Sequence, residues 1–230
     1  MKNVNAVFQK QIKDTLKNKE IFIQFVLFPV MAAVMKNMVK VEGMPENYFV
    51  NLFAAMYTGM APLVAMAAVI AEEKEKNTLR VLMMSGVKPW EYLLGAGSYI
   101  WAACMLGAFA FGLLGEYQKG ALGAFVLVMG TGILVSVFLG AAIGTISRGQ
   151  MMATSLTVPV MLVLSFLPMI ASFNEKVSAA AKFIYSQQIS LLLGKVGSLH
   201  LGFENIFIIG ANMAAALLVF GYAYKKCGLA

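Results

Sequence analysis

Charge is scarce in this chain. Asp, Glu, Lys and Arg make up 13% of the 230 residues, against 60% hydrophobic residues and a mean hydropathy of +0.77. Soluble globular domains are about a quarter charged, so a deficit of this size excludes an ordinary soluble domain. Histidine occurs once, at His200, and cysteine twice, at Cys104 inside an apolar run and at Cys227 near the last residue. A single histidine excludes HExxH-type metal chemistry, and cysteines so placed offer neither a disulfide framework nor a paired-cysteine metal site. The pattern GxxxxGK[ST] is absent. The glycine-rich Gly95-Ala96-Gly97-Ser98 is no phosphate loop, so no nucleotide-binding device of that kind is expected on this chain. The net charge of +7 does not point to nucleic acid either, because the lysines sit between apolar runs, where they meet headgroups or fix topology.

What the sequence has is long apolar runs, at 21–39, 48–71, 93–115, 121–146, 150–172 and 203–224. Each is near or above the roughly 20 residues that cross a bilayer as a helix. The expected fold is an all-α integral membrane protein with six transmembrane helices. It divides into an interfacial segment, 1–20, and a six-span domain, 21–230. No stretch between the runs reaches the about 50 residues of a soluble domain, so any energy-converting module must come from another chain.

Lysine and arginine bias sets the orientation. Twelve lie in the N-terminal segment, in 72–92, at Arg148 and at Lys225 and Lys226; six (Lys36, Lys40, Lys119, Lys176, Lys182 and Lys195) lie on the other side. Both termini are therefore expected in the cytoplasm of a multi-pass plasma-membrane protein. The first apolar run starts only at residue 21, which sets a signal peptide aside.

Two segments outside the runs carry helical patterns. Val4, Val7, Phe8, Ile12 and Leu16 recur at helical spacing opposite Asn5, Gln9, Lys10, Lys13, Asp14 and Lys17. Such a helix suits the inner interface, with lysines toward anionic headgroups; the alternative is a basic tail that only sets topology. In 173–202, Ser172 and Glu175 have capping-box spacing, followed by an apolar stripe of Val177, Ala180, Ala181, Ile184 and Tyr185 and a second patch from Ile189 to Leu193, broken by Gly194 and Gly197. We read two short helices that enter the outer leaflet and return, packed against protein. A surface-lying amphipathic cap is the alternative.

The interiors of the six runs hold no acid or base, only such polar groups as Gln24, Asn51, Tyr57, Thr58, Ser98, Thr131, Ser136, Thr154, Ser155, Thr157, Ser165 and Asn212. Ion-coupled carriers commonly need intramembrane ionisable residues, so a proton-coupled carrier is disfavoured, and most of these polar groups suit helix packing. The pair Glu72–Glu73 is superficially similar to the EExxxR element of membrane prenyl-protein endopeptidases. Those enzymes also need histidines on other helices, which this chain lacks; His200 is expected at the interface. The 17 methionines suit either a pliable lining or plain apolar filling, and Gly140 with Gly144 forms a GxxxG pair that permits close contact within or between subunits.

The charge concentrates in 72–92. Glu72 and Glu73 stand at a helix C-terminus, against the macrodipole, with an i,i+4 partner for Glu72 at Lys76. A short helix follows, capped by Asn77 or Thr78 and stopped at Gly86, with Leu79, Leu82 and Met83 as its apolar edge and Val81 and Met84 to either side. Pro89 suits the first turn of the next helix, with Trp90 and Tyr92 at interface depth. A short amphipathic helix among charges of both signs favours a protein groove over lipid.

The run AEEKEKNTLRVLMMSGVKPWEYLLG resembles the pattern of ABC-2 type permeases, roughly EExxxxTLxxLxxxPVSxxExLLGK, between their second and third spans. The match covers about 25 residues. It departs at Val87-Lys88-Pro89, where proline usually comes earlier, and at Ala96, where lysine is usual. The resemblance implies the permease subunit of an ATP-binding cassette exporter, paired with a second permease subunit and with an ABC ATPase that binds ATP and magnesium; the chain itself would carry no cofactor, metal or catalytic residue. Glu72, Glu73, Thr78, Leu79, Leu82 and Met83 would form the coupling helix. The second and fifth spans would line the pathway, with Asn51, Met56, Tyr57, Thr58, Thr154, Thr157 and Pro159 as its candidate residues; Pro159 and Pro168 would bend the fifth span or merely reflect irregular packing. An interior without fixed charge implies an amphiphilic substrate: a peptide, a drug or a lipid-like molecule. A haem-export-type permease and a non-transporting membrane immunity or scaffold protein are the competing readings.

Overall fold

The computed structural model describes residues 2–17, 19–39, 45, 47–196 and 203–229, and in helices α1 and α2 the side chains of 2, 16, 17 and 19–22 are left aside. Lys40, Gly197 and His200 lie outside the described residues. The described chain is 88% helix with no strand. Its helices are α1 (Lys2–Lys17), α2 (Lys19–Met38), α3 (Tyr48–Glu75), α4 (Thr78–Met84), α5 (Pro89–Leu114), α6 (Lys119–Ile146), α7 (Gln150–Ala171), α8 (Glu175–Ala181), α9 (Tyr185–Leu193) and α10 (Phe203–Cys227). Five of them, α3, α5, α6, α7 and α10, are long and apolar enough to cross a membrane; the apolar helix over Ile23–Met38 is shorter.

Helix α3 is the axis of the bundle, with α6, α7, α5 and α2 packed around it. Lipid tails are as apolar as leucine, so membrane helices associate through close packing and not through the hydrophobic effect. The sequence supplies small residues for this. Gly140 of α6 lies against the Leu63 carbonyl and Met66 of α3, and Gly144 against Ile70 and Ala67. The GxxxG pair therefore acts within one chain. Gly59 of α3 sits so close to α7 that an added Cβ would lie 2.9 Å from the Leu164 carbonyl carbon. By contrast α10 keeps only 11% of its apolar window buried and α7 28%, against 78% for α3. The two helices present most of their apolar surface outward.

Polar groups inside the bundle follow two habits. Thr58, Ser98, Thr131 and Ser155 bond back to carbonyls of their own helices. Ser136 of α6 instead bonds across, to the Thr58 carbonyl and to the Tyr185 hydroxyl, 2.6 Å away. Tyr185 opens α9, and the residues from Tyr185 to Ile189 are all buried among α3, α6, α7 and α10. The tip of α9 thus reaches the middle of α6. Asn212 of α10 ties the α8–α9 connection by donating to the Phe183 carbonyl (2.8 Å).

The cap of α8 differs from the sequence expectation. Asn174, extended at φ −142°, accepts from the backbone N–H groups of Lys176 (3.0 Å) and Val177 (3.3 Å). Ser172 still has helical torsions and spends its hydroxyl on the Pro168 carbonyl (2.9 Å), so it cannot cap α8.

Candidate functional site

The charged segment forms a corner at one end of the bundle. Helix α3 runs four residues past its apolar run, so Glu72, Glu73, Lys74 and Glu75 belong to its last turn. Asn77 then takes left-handed torsions (φ 56°), serving at once as the end of α3 and the start of α4, without a side-chain cap bond. The Thr78 hydroxyl donates to the Glu73 carbonyl (3.2 Å), stitching the corner. Helix α4 ends in a Schellman motif. The Gly86 N–H reaches the Met83 carbonyl (3.1 Å), the Val87 N–H reaches the Leu82 carbonyl (3.2 Å), and Gly86 has φ +91°. Pro89 opens α5, where the Glu91 carboxylate accepts from the Lys88 backbone N–H (2.9 Å).

The six residues expected to couple have different surroundings. Leu79 is wholly buried, and Leu82 and Met83 are half-buried against the core. Glu73 is buried too, accepting from Lys10 (2.5 Å) and Gln11 (2.6 Å) of α1. Glu72 pairs with Lys76 at 2.5 Å, and Thr78 is half-buried. The outward surface of α4 is instead Arg80, Val81 and Met84, the last two 63% and 80% exposed. A strong apolar residue on a short amphipathic helix is as readily an anchor as a contact, and Leu79 is the anchor here.

Helix α1 braces this corner through residues that apolar periodicity passes over. Its buried stripe is Val7, Gln11 and Thr15, while Ile12 is exposed. Val7 packs on Gly95 of α5, where an added Cβ would lie 2.7 Å from the Val7 Cβ, and Asn3 donates to the Glu91 carboxylate (2.9 Å). Burial works against charge on the Lys10 ammonium, but hydrogen bonds to Glu73 and Asp14 outweigh it and hold its pKa above the ordinary lysine value. The stripe shows in the sequence as an i,i+4 row, two of whose three members are polar.

Above the corner, a cavity of about 260 Å³ lies between α2, α3 and α7. Glu72 and Gln150 mark one end, Met60 and Met161 the other, and Thr154 and Thr157 line the α7 side. Two buried polar atoms belonging to its lining residues, Gln24 Oε1 and Thr157 Oγ1, have no hydrogen-bond partner among the described residues. Such atoms are costly when dry and suit contact with water or a polar ligand group. Of the candidate pathway residues, Thr154 and Thr157 line this cavity, while Pro159 is exposed on α7. The other four do not line it. Tyr57 is buried against Phe28 and Phe111, Thr58 is tied into α3 and α6, Met56 is buried, and Asn51 accepts from the Tyr117 hydroxyl (2.6 Å).

No curated protein matches the chain. A family profile described as ABC-2 family transporter protein matches residues 1–224, which takes in α1, the corner, the cavity and nearly all of α10. The chain therefore belongs to the ABC-2 family of transporter proteins, as a multi-pass transmembrane subunit of an ABC transporter.

Proposed function

We propose that the chain is the permease of an ATP-driven exporter for an amphiphilic substrate: a peptide, a drug or a lipid-like molecule. In this reading α2, α3, α5, α6, α7 and α10 are six spans, the α4 end faces the cytoplasm, and α1 lies at the inner interface. Helices α8 and α9 form a re-entrant segment on the opposite side. A second permease subunit, identical or a sister, completes the pathway. A separate ABC ATPase binds ATP and magnesium and hydrolyses the nucleotide, and this chain takes no part in the chemistry.

The observation that carries the reading is the division of labour on α4. Leu79 roots the helix in the bundle while Arg80, Val81 and Met84 stand outward beside it. A seven-residue helix is too short to persist alone, and apolar side chains standing among charges suit a groove on a partner. The partner would press on Val81 and Met84, and Leu79, Thr78 and Glu73 would pass the displacement into α3, whose next turns line the cavity. The cavity supports an amphiphile because Glu72, already paired with Lys76, is the single ionisable residue on its wall among the described residues.

The test is purification from native membranes in mild detergent, followed by identification of the proteins that accompany the chain. An ATPase is expected with the wild type and is expected to be lost from the double variant Val81→Asp, Met84→Asp, whose changes lie on exposed positions. Absence of any ATPase from the wild type, or full retention by the double variant, overturns the coupling role of α4.

A further inference from the structure

The turn between α6 and α7 is held by two consecutive residues of α3. Helix α6 ends at Ile146 and α7 begins at Gln150, so Ser147, Arg148 and Gly149 make the turn. On the outgoing side the Lys74 ammonium donates to the Thr145 carbonyl (2.7 Å). On the incoming side the Glu75 carboxylate accepts from the Gln150 backbone N–H (2.6 Å). Each charge has the sign its helix end favours, positive at the C-terminus of α6 and negative at the N-terminus of α7. The two ends are not equally secured. Gly144, in the last turn of α6, packs against Ile70 and Ala67 of α3. In α7, by contrast, Gln150, Met151 and Met152 are exposed, and Ala153 is the first buried residue.

Gly149 shows what Glu75 replaces. It stands at the N-cap of α7 in an extended conformation (φ −171°, ψ 179°) that any residue adopts, so the backbone does not require glycine there. A polar side chain at that position would ordinarily accept from the first N–H groups of the helix. An added Cβ, however, would lie 2.8 Å from Glu75 Oε2. The carboxylate of α3 thus occupies the place of the missing cap. Glu75 also stands one turn beyond Glu72, at i+3 and therefore on the same face of α3. Glu72 and Gln150 line one end of the cavity between α2, α3 and α7. We propose that Glu75 is a positioning residue that latches the first turn of α7 to the last turn of α3 and holds the corner end of that cavity narrow. Displacement of the α4 corner then reaches both walls, α3 directly and α7 through Glu75. That last step rests on the export reading above; the latch itself does not.

Thr157, buried on the α7 wall of the cavity, gives a reporter. The full chain would be purified in detergent with the exposed Cys227 replaced by Ser and Cys104 left in its buried position. In that background Thr157→Cys would be reacted with a charged methanethiosulfonate reagent, and the rate followed by mass spectrometry. Loss of the cap in Glu75→Ala is expected to raise the rate about fivefold. Glu75→Gln keeps an acceptor oxygen without the charge, and a rise of about twofold is expected. A second reporter, Ser98→Cys in a crevice between α5, α6 and α10, is expected to react at the parent rate in both. The deciding variant joins Glu75→Ala to Gly149→Asp, which gives α7 a cap of its own and leaves it untied from α3. It is expected to regain the thermal midpoint lost in Glu75→Ala and to keep the fast reaction at Thr157→Cys. An unchanged rate in Glu75→Ala, equal acceleration at Ser98→Cys, or a return to slow reaction in the locally capped variant would each overturn the proposal. These rates are read without an ATPase, so a chain that recruits none overturns the export reading and not the latch.

Discussion

Single residues set the spacing of this bundle, and glycine decides most of it. Gly140 was recognisable beforehand from its GxxxG spacing, but its partner was not, because spacing names a close approach without naming the helix that approaches. The structure assigns it to the Leu63 carbonyl on α3. Replacement by leucine overpacks that contact and is expected to cost about 1–3 kcal/mol, read as a lower midpoint of thermal unfolding in detergent; a midpoint within a degree of the wild type would refute it. Gly107 is similar, since any Cβ there would run into the Tyr57 hydroxyl. Gly86 is a different case. Open space surrounds it, yet its φ of +91° disfavours a side chain. Gly86→Ala is expected to lower stability by about 1 kcal/mol through the end of α4 alone, visible as faster amide exchange confined to Val81–Val87.

At the scale of elements, α4 and α1 were legible to different degrees. Asn77, Gly86 and Pro89 punctuate α4 so strongly that its limits follow from turn chemistry, and its observed span is Thr78–Met84. The face it turns inward did not follow, because one turn of Leu, Val, Leu, Met and Met is apolar nearly all round, and only the fold-back onto the bundle selects Leu79. Helix α1 was legible as a helix, but its grip on the protein was not. That grip uses Asn3, Lys10 and Gln11, residues whose polarity reads as a solvated face until the buried Glu73 is known to lie opposite. The double variant Lys10→Met, Gln11→Leu removes both donors that α1 offers to the buried Glu73 carboxylate. It is expected to release α1, giving more than tenfold faster amide exchange in residues 3–15 while α3 to α7 keep their protection. Uniform loss of protection would instead mean that α1 is part of the core. The raised Lys10 pKa sets the alkaline limit: the ammonium is fully charged below the ordinary lysine pKa, and the pair weakens as pH rises through the higher folded value. The anchoring of α1 is therefore not expected to weaken as pH rises from about 7 to about 9.

For the molecule as a whole, composition and run length carried the reading far, since the runs at 48–71, 93–115, 121–146, 150–172 and 203–224 each correspond to one long apolar helix. The helix α9 was harder. It is short, and its first residues, Tyr185, Ser186, Gln187 and Gln188, are polar yet buried, so hydropathy alone gives them to the surface. The outward faces of α7 and α10 are visible only in three dimensions, as an excess of apolar surface that one chain leaves uncovered. Orientation has a direct measurement. A reporter active only outside the cytoplasm is expected to stay silent when fused after Ser85 and to be active when fused after Phe173. The reverse pattern would invert the molecule in the membrane.

Glu72 and Glu73 are consecutive, and about 100° of helix rotation separates their side chains. One faces the cavity beside α7 and the other is clasped by α1. Any twist of α3 that reshapes the cavity mouth must therefore strain the clasp on the neighbouring face of the same turn. If the proposed coupling twists α3, helix α1 would work as a detent: it would hold the resting angle of α3, set the torque needed to leave that angle, and supply a restoring pull once the torque is withdrawn.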